Sequence, residues 1–153
     1  ARRRGIGVLF HGSPQTFKTF LGTFVLKCVL ARGFSARYTT LPDVAREHFG
    51  EGETRHSVRT LYGSVDFVFI DDLCATPHKG EIQGLSRVLQ VRSTAGLPTL
   101  FASVLPPSEM AEHYTDAVAR HFDLAQPIDC NSDTAAFSVH RLRAADKSRI
   151  WED

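Results

Sequence analysis

Two short stretches of this chain hold residue types that could handle a polyphosphate. The first is Gly12-Ser13-Pro14-Gln15-Thr16-Phe17-Lys18-Thr19. A glycine, four intervening residues, one more, then Lys-Thr is the spacing of a phosphate-binding loop. In such loops backbone N–H groups and the positive end of a helix surround phosphate oxygens. On this reading Gly12, Ser13, Pro14, Gln15, Thr16, Phe17, Lys18, Thr19 and Phe20 form the nucleotide-binding segment. The Lys18 ammonium would bridge the outer phosphates, and the Thr19 hydroxyl would bind Mg2+. Position 17 is ordinarily glycine, because the loop needs a positive φ there. A bulky residue in that conformation stores about 1–3 kcal/mol. Phe17 also opens an apolar helical stripe, so its ring is expected to be held by packing.

The second stretch is Asp71-Asp72, directly after the apolar run Phe67-Val68-Phe69-Ile70. Asp71 would hold a metal-bound water, and Asp72 would orient or deprotonate an attacking water. Asp71 follows Lys18 by 53 residues, room for a helix, a strand, a second helix and the strand that carries the pair. Each stretch has a plainer alternative. Lys18 could simply begin a helix, and the Asp pair could cap the helix that follows. His11 beside the loop could satisfy local hydrogen bonds or touch phosphate. His78, His113 and His121 have no metal-ligand spacing, and Cys74 reads as a small core residue.

The surrounding pattern supplies elements that would position these groups. Residues 7–11 form a short apolar run ending in a turn signal, a buried strand. Phe17, Phe20, Leu21, Phe24, Val25, Cys28 and Val29 recur with helical spacing and predict one continuous apolar face. Gly33 is a stop signal. A second strand is expected over 35–40, then a helix with Pro42 in its first turn. A polar loop spans 50–55 and a short helix 58–62. A strand runs from Val65 to Ile70, and a helix over 80–94 carries Ile82, Leu85, Val88 and Leu89. A fourth strand covers 99–103, helices start near Ser108 and Asp116, a fifth strand covers 125–130, and a sixth, at an edge, 137–142. Strands alternate with helices, which favours an α/β fold with a parallel sheet covered on both faces. Ligands in such sheets gather at the carboxyl ends of strands, where both candidate stretches lie.

Composition narrows the class. The chain has 153 residues, 42% hydrophobic and 23% charged, enough for one domain with a real core. A net charge of +1 does not mark a nucleic-acid binder by itself, although Arg2, Arg3 and Arg4 form either a solvated tail or a phosphate-contacting arm. Cys28, Cys74 and Cys130 lie far apart and odd in number, which suits a reducing, cytoplasmic setting. No run approaches the roughly 20 apolar residues of a membrane span. The first residue is Ala1, so the chain is expected to be a piece of a longer protein.

From Gly7 to about Cys130 the sequence resembles the AAA+ P-loop ATPases of the DnaC/IstB type, bacterial helicase loaders and transposition helpers. The resemblance is carried by GVLFHGSPQTFKTFL, YTTLPD, VDFVFIDDL and GLPTLFASVLPPSEMAEH. It implies a single AAA+-like domain over 1–153, a three-layer sandwich with a mainly parallel five-stranded sheet in the order 5-1-4-3-2. No segment reads as a helical lid. It further implies ATP and Mg2+ as ligands and a homo-oligomer. Expected partners are single- or double-stranded DNA and a helicase or transposase. Lys18, Asp72 and Arg120 carry catalysis, Arg120 in DAVARHF reaching into a neighbouring subunit's site, and Thr19 and Asp71 face the metal. A surface arginine on an amphipathic helix is the plainer reading of Arg120. Two departures stand out: Phe17 in the loop, and Val104 where the family has a polar sensor asparagine, with Ser103 beside it as a substitute. They leave open a nucleotide-binding adaptor with little turnover. A small-molecule P-loop kinase is a third reading, lacking an arginine-rich lid segment.

Overall fold

A computed structural model describes residues 5, 7–50 and 58–131. Five strands, β1 (Val8–His11), β2 (Ala36–Thr40), β3 (Phe67–Leu73), β4 (Thr99–Ser103) and β5 (Gln126–Asp129), form one sheet in the order β2-β3-β4-β1-β5. Every pairing is parallel. The order is the expected 5-1-4-3-2 read from the other edge. The helices are α1 (Lys18–Leu30), α2 (Leu41–Phe49), α3 (Val58–Gly63), α4 (Lys79–Ala95), α5 (Pro107–His113) and α6 (Asp116–Asp123).

Strand alternation sorts the core into two clusters, one on each face of the sheet. Phe10, Phe69, Leu100 and Ala102 pack with Leu21 and Leu26 of α1. Leu9, Val68, Ile70 and Phe101 face the other way, against Val44 of α2, Leu85, Val88 and Leu89 of α4, Met110 of α5 and Phe122 of α6. The layers are therefore helix, sheet, helices. Each fully buried side chain of this size contributes about 1.5–3 kcal/mol by leaving water.

Local signals explain the boundaries. Gly33 has φ 83, and the N–H groups of Gly33 and Phe34 donate to Leu30 O and Val29 O, which closes α1. Thr40 caps α2: its hydroxyl accepts from Asp43 N–H at 3.3 Å and donates to the Asp43 carboxylate at 2.9 Å. The Glu81 carboxylate accepts from His78 N–H at 2.8 Å at the start of α4, which is the part His78 plays. Arg92, 1% exposed, is the largest fully buried side chain and ties α4 to the start of β4 and the segment before β3.

Helix α1 departs from the expected face. Its buried residues are Leu21, Gly22, Leu26 and Val29, whereas Phe17 and Phe20 are 74% and 57% exposed. Apolar residues surround this helix almost completely, so spacing alone could not set its phase. Phe17 also lies outside the helix, in the loop, and cannot start the stripe. Gly22 is the reason the helix sits where it does. A Cβ there would stand 2.2 Å from Phe69 Cζ, so only glycine lets α1 come so close to β3. β3 also begins two residues later than expected and takes in the acidic pair. The expected strand over 137–142, the loop over 51–55, the Arg2–Arg4 cluster and Trp151 lie outside the described residues.

Candidate functional site

The loop after β1 begins with Gly12, whose N–H donates to Ser103 O at the tip of β4 at 3.2 Å. Gln15 (φ 64) and Phe17 (φ 61, ψ 14) are left-handed, which folds the backbone into a cup ahead of α1. The conformation that a glycine would supply at position 17 is thus adopted by phenylalanine, with the ring facing solvent and not packed as expected. Thr16 Oγ1 donates to Ser13 O at 2.7 Å. Lys18 Nζ donates to Gly12 O at 2.8 Å, to Ser13 O at 2.5 Å and to Thr16 Oγ1 at 3.2 Å, so the ammonium arches over the cup. Gln15, Thr16, Phe17, Lys18 and Thr19 line an open cavity of about 350 Å3.

The sheet brings the acidic tip of β3 to this loop. Thr19 Oγ1 donates to Asp71 Oδ2 at 2.7 Å, and Tyr38 Oη of β2 donates to the same oxygen at 3.1 Å. Asp72 N–H donates to Asp71 Oδ1 at 2.8 Å. Asp71 is 4% exposed, whereas Asp72 is exposed and left-handed (φ 57). The register of β3 against β4 shifts between Ile70 and Leu73, so the pair occupies an irregular strand end. Partial burial, then the neighbouring Asp71, pushes the Asp72 carboxyl above its ordinary range, which makes it a better proton acceptor. Burial, then Asp71, pushes the Tyr38 phenol up to about 12, so it stays a donor near neutrality.

The donor set fits Mg2+. A hydroxyl and a carboxylate in contact are hard oxygen ligands of the kind that bind this ion together with waters and phosphates. Among the described residues no group of three or more His, Cys, Asp or Glu could form a closed cage.

A second cavity, about 420 Å3, is lined by Gly7, Leu89, Leu97, Phe101, His121 and Leu124 among others. It is larger but sits at the opposite ends of the strands. Its walls are mostly apolar, and among the described residues that line it none is a lysine, aspartate or glutamate, whereas the smaller cavity holds Lys18 and Thr19.

Other candidates fall outside the contact network. Arg120 is exposed on α6, and Pro14 and Phe20 are exposed near the loop, the Phe20 ring stacking on Phe24 with centroids 6.4 Å apart. Val104 is 40% exposed. Ser103 beside it is buried, its hydroxyl accepting from Leu105 N–H at 2.9 Å and donating to Met110 Sδ at 3.5 Å. Cys74 packs against the core, as expected.

Two residues escaped sequence reasoning. Asn131 Oδ1 accepts from Ser13 N–H at 2.7 Å and anchors the loop from beyond β5. Tyr38 is the other. Neither carries a sequence signal of its own: Tyr38 lies in the middle of β2 and Asn131 two residues past the end of β5.

A parallel sheet ordered 2-3-4-1-5, with a phosphate-type loop after β1 and an acidic pair at the tip of β3, defines the AAA+ P-loop fold. Similar solved structures bear this out. AMPPCP-bound DnaA from Aquifex aeolicus superposes with a TM-score of 0.73 at 18% identity, covering 95% of this chain and 47% of that one. The DnaC helicase loader gives 0.72 at 15% identity, with 84% and 80% covered, and DnaI gives 0.71 at 22% identity, with 88% and 74% covered. At these identities the likeness is one of fold. The chain spans just under half the length of the DnaA structure. Comparison of the sequence with protein-family models and with curated proteins finds no match. Among the described residues no helix is long and apolar enough to cross a membrane.

Proposed function

We propose that this chain is an AAA+ domain that binds ATP with Mg2+, hydrolyses it between subunits, and uses the cycle to load or remodel a DNA-acting partner in the cytoplasm. The 2.7 Å contact between Thr19 Oγ1 and Asp71 Oδ2 carries the reading, because it joins the phosphate loop to the acidic tip. The loop amides and the N-terminal end of α1 favour negative charge. The Lys18 ammonium, now held by loop oxygens, would exchange them for the outer phosphates. Thr19 and Asp71 would hold Mg2+, which when bound neutralises charge on the phosphates. Asp72, exposed and more basic than an ordinary aspartate, would take a proton from the attacking water. Arg120, exposed on α6, is free to act on a neighbour's site, which makes a homo-oligomer part of the proposal.

The partner class follows the structural neighbours. One DnaA structure carries AMPPCP and single-stranded DNA, and another neighbour is a helicase loader. A helicase or transposase, with single- or double-stranded DNA, is the proposed target. A second reading, a nucleotide-dependent adaptor with little turnover, is favoured by Val104 at the sensor position and by Ser103 facing inward.

Binding of a fluorescent ATP analogue and phosphate release, followed across protein concentration with and without single-stranded DNA, tests both. Lys18→Ala is expected to weaken binding about 10- to 100-fold, the loss of one or more charge-assisted hydrogen bonds. Turnover should rise steeply with protein concentration. Hydrolysis that survives Lys18→Ala removes the ATPase reading. Tight binding without phosphate release, at any concentration and with DNA present, selects the adaptor.

A further inference from the structure

Tyr38 sits on β2 opposite Phe69, two residues before the point where Asp71 pairs with Thr40. Two strand residues span about 7 Å, close to the reach of a phenol from its own backbone. The ring is held edge-on against Phe69, with centroids 5.6 Å apart and planes at 63°. The hydroxyl therefore arrives at Asp71 Oδ2 from the sheet, at 3.1 Å, while Thr19 arrives at the same oxygen from α1, at 2.7 Å.

The two donors differ in kind. Thr19 belongs to the phosphate loop, and its hydroxyl oxygen is the one expected to meet a cation. Tyr38 belongs to the rigid sheet. A carboxylate has about four acceptor sites. Two on Oδ2 and one on Oδ1 are engaged, the last by Asp72 N–H. The plane of this nearly buried group is thus set before any ligand arrives. Tyr38 as a residue is 46% exposed, and a phenylalanine would keep the same contact with Phe69. The contact with Asp71 is what the hydroxyl adds.

We propose that Tyr38 is a positioning residue that holds the Asp71 carboxylate in the orientation that receives the water shell of a divalent cation bound with nucleotide. The proposal rests on the nucleotide reading above. Outer partners of this type usually change metal affinity 10- to 100-fold when removed.

The test compares wild type, Tyr38→Phe and Asp71→Asn by the affinity of a fluorescent ATP analogue, first in EDTA and then across a Mg2+ titration, with melting temperatures measured alongside. Tyr38→Phe is expected to match wild type in EDTA and in melting temperature, and to need about tenfold more Mg2+ to reach half of the magnesium effect. Asp71→Asn should shift the midpoint at least as far. An unchanged midpoint in Tyr38→Phe overturns the positioning role and leaves nucleotide binding intact. A loss of affinity already present in EDTA also overturns it, since the hydroxyl would then be shaping the loop. Wild type that binds no nucleotide in either buffer overturns the underlying reading, and this role with it.

Discussion

Arg92 Nε donates to Thr99 Oγ1 at 2.9 Å, and the remaining guanidinium N–H groups reach the backbone carbonyls of Tyr62, Val65, Asp66 and Pro98. One side chain thus closes the polar ends of α3, the approach to β3 and the entry to β4. Burial lowers its pKa to about 10, partly countered by Asp66, so it stays charged at neutral pH.

Arg92→Met should leave the buried Tyr62 carbonyl and the partly buried carbonyls of Val65, Asp66 and Pro98 without this donor. Each such group costs about 1–3 kcal/mol, so a total loss of about 3 kcal/mol or more is expected. Arg92→Lys should recover little, because a single ammonium cannot present five N–H groups in a plane. Urea denaturation measures both. A loss below about 1 kcal/mol for Met would show that water replaces the guanidinium at little cost.

Phe17 combines a left-handed backbone with a ring that is 74% exposed. So exposed a ring buries little surface to offset the strain, and Phe17→Gly is expected to stabilise the protein by up to about 1 kcal/mol. Nucleotide affinity should be at least that of wild type. Thermal melting and analogue binding check the pair. A fall in melting temperature would mean that the ring makes contacts that matter to the fold.

His121 lines the apolar cavity at the far end of the sheet. Burial, then the adjacent Arg120, lowers its pKa below the ordinary 6.5. The unfolded chain therefore takes up this proton at a higher pH than the folded one. The stability this group contributes is fully present above about pH 6.5 and is lost as pH falls toward its folded value. Between pH 7 and 5 wild type should lose more stability than His121→Gln. Equal pH profiles for the two proteins would show that His121 is solvated in the folded state.

Much of the fold was legible because its signals are local. The strand Thr99–Ser103 has the expected bounds, and Pro107 and Gly96 mark helix ends where proline and glycine belong. The loop and the acidic pair were legible because each is a contiguous motif, and their meeting at Thr19 and Asp71 follows from the parallel sheet. What stayed hidden depends on tertiary neighbours. The phase of α1 is decided by Gly22 against Phe69, which no periodicity over an all-round apolar helix reveals. Tyr38 on β2 and Asn131 just past β5 act through side-chain bonds to residues distant in sequence.

The missing side chain at Gly22 gives α1 a hard stop, the Phe69 ring. The gap between Thr19 and Asp71 is therefore gauged by contact one helical turn away from it. Bulk added at position 22 would work as a wedge, prising the hydroxyl off the carboxylate while leaving both residues chemically untouched.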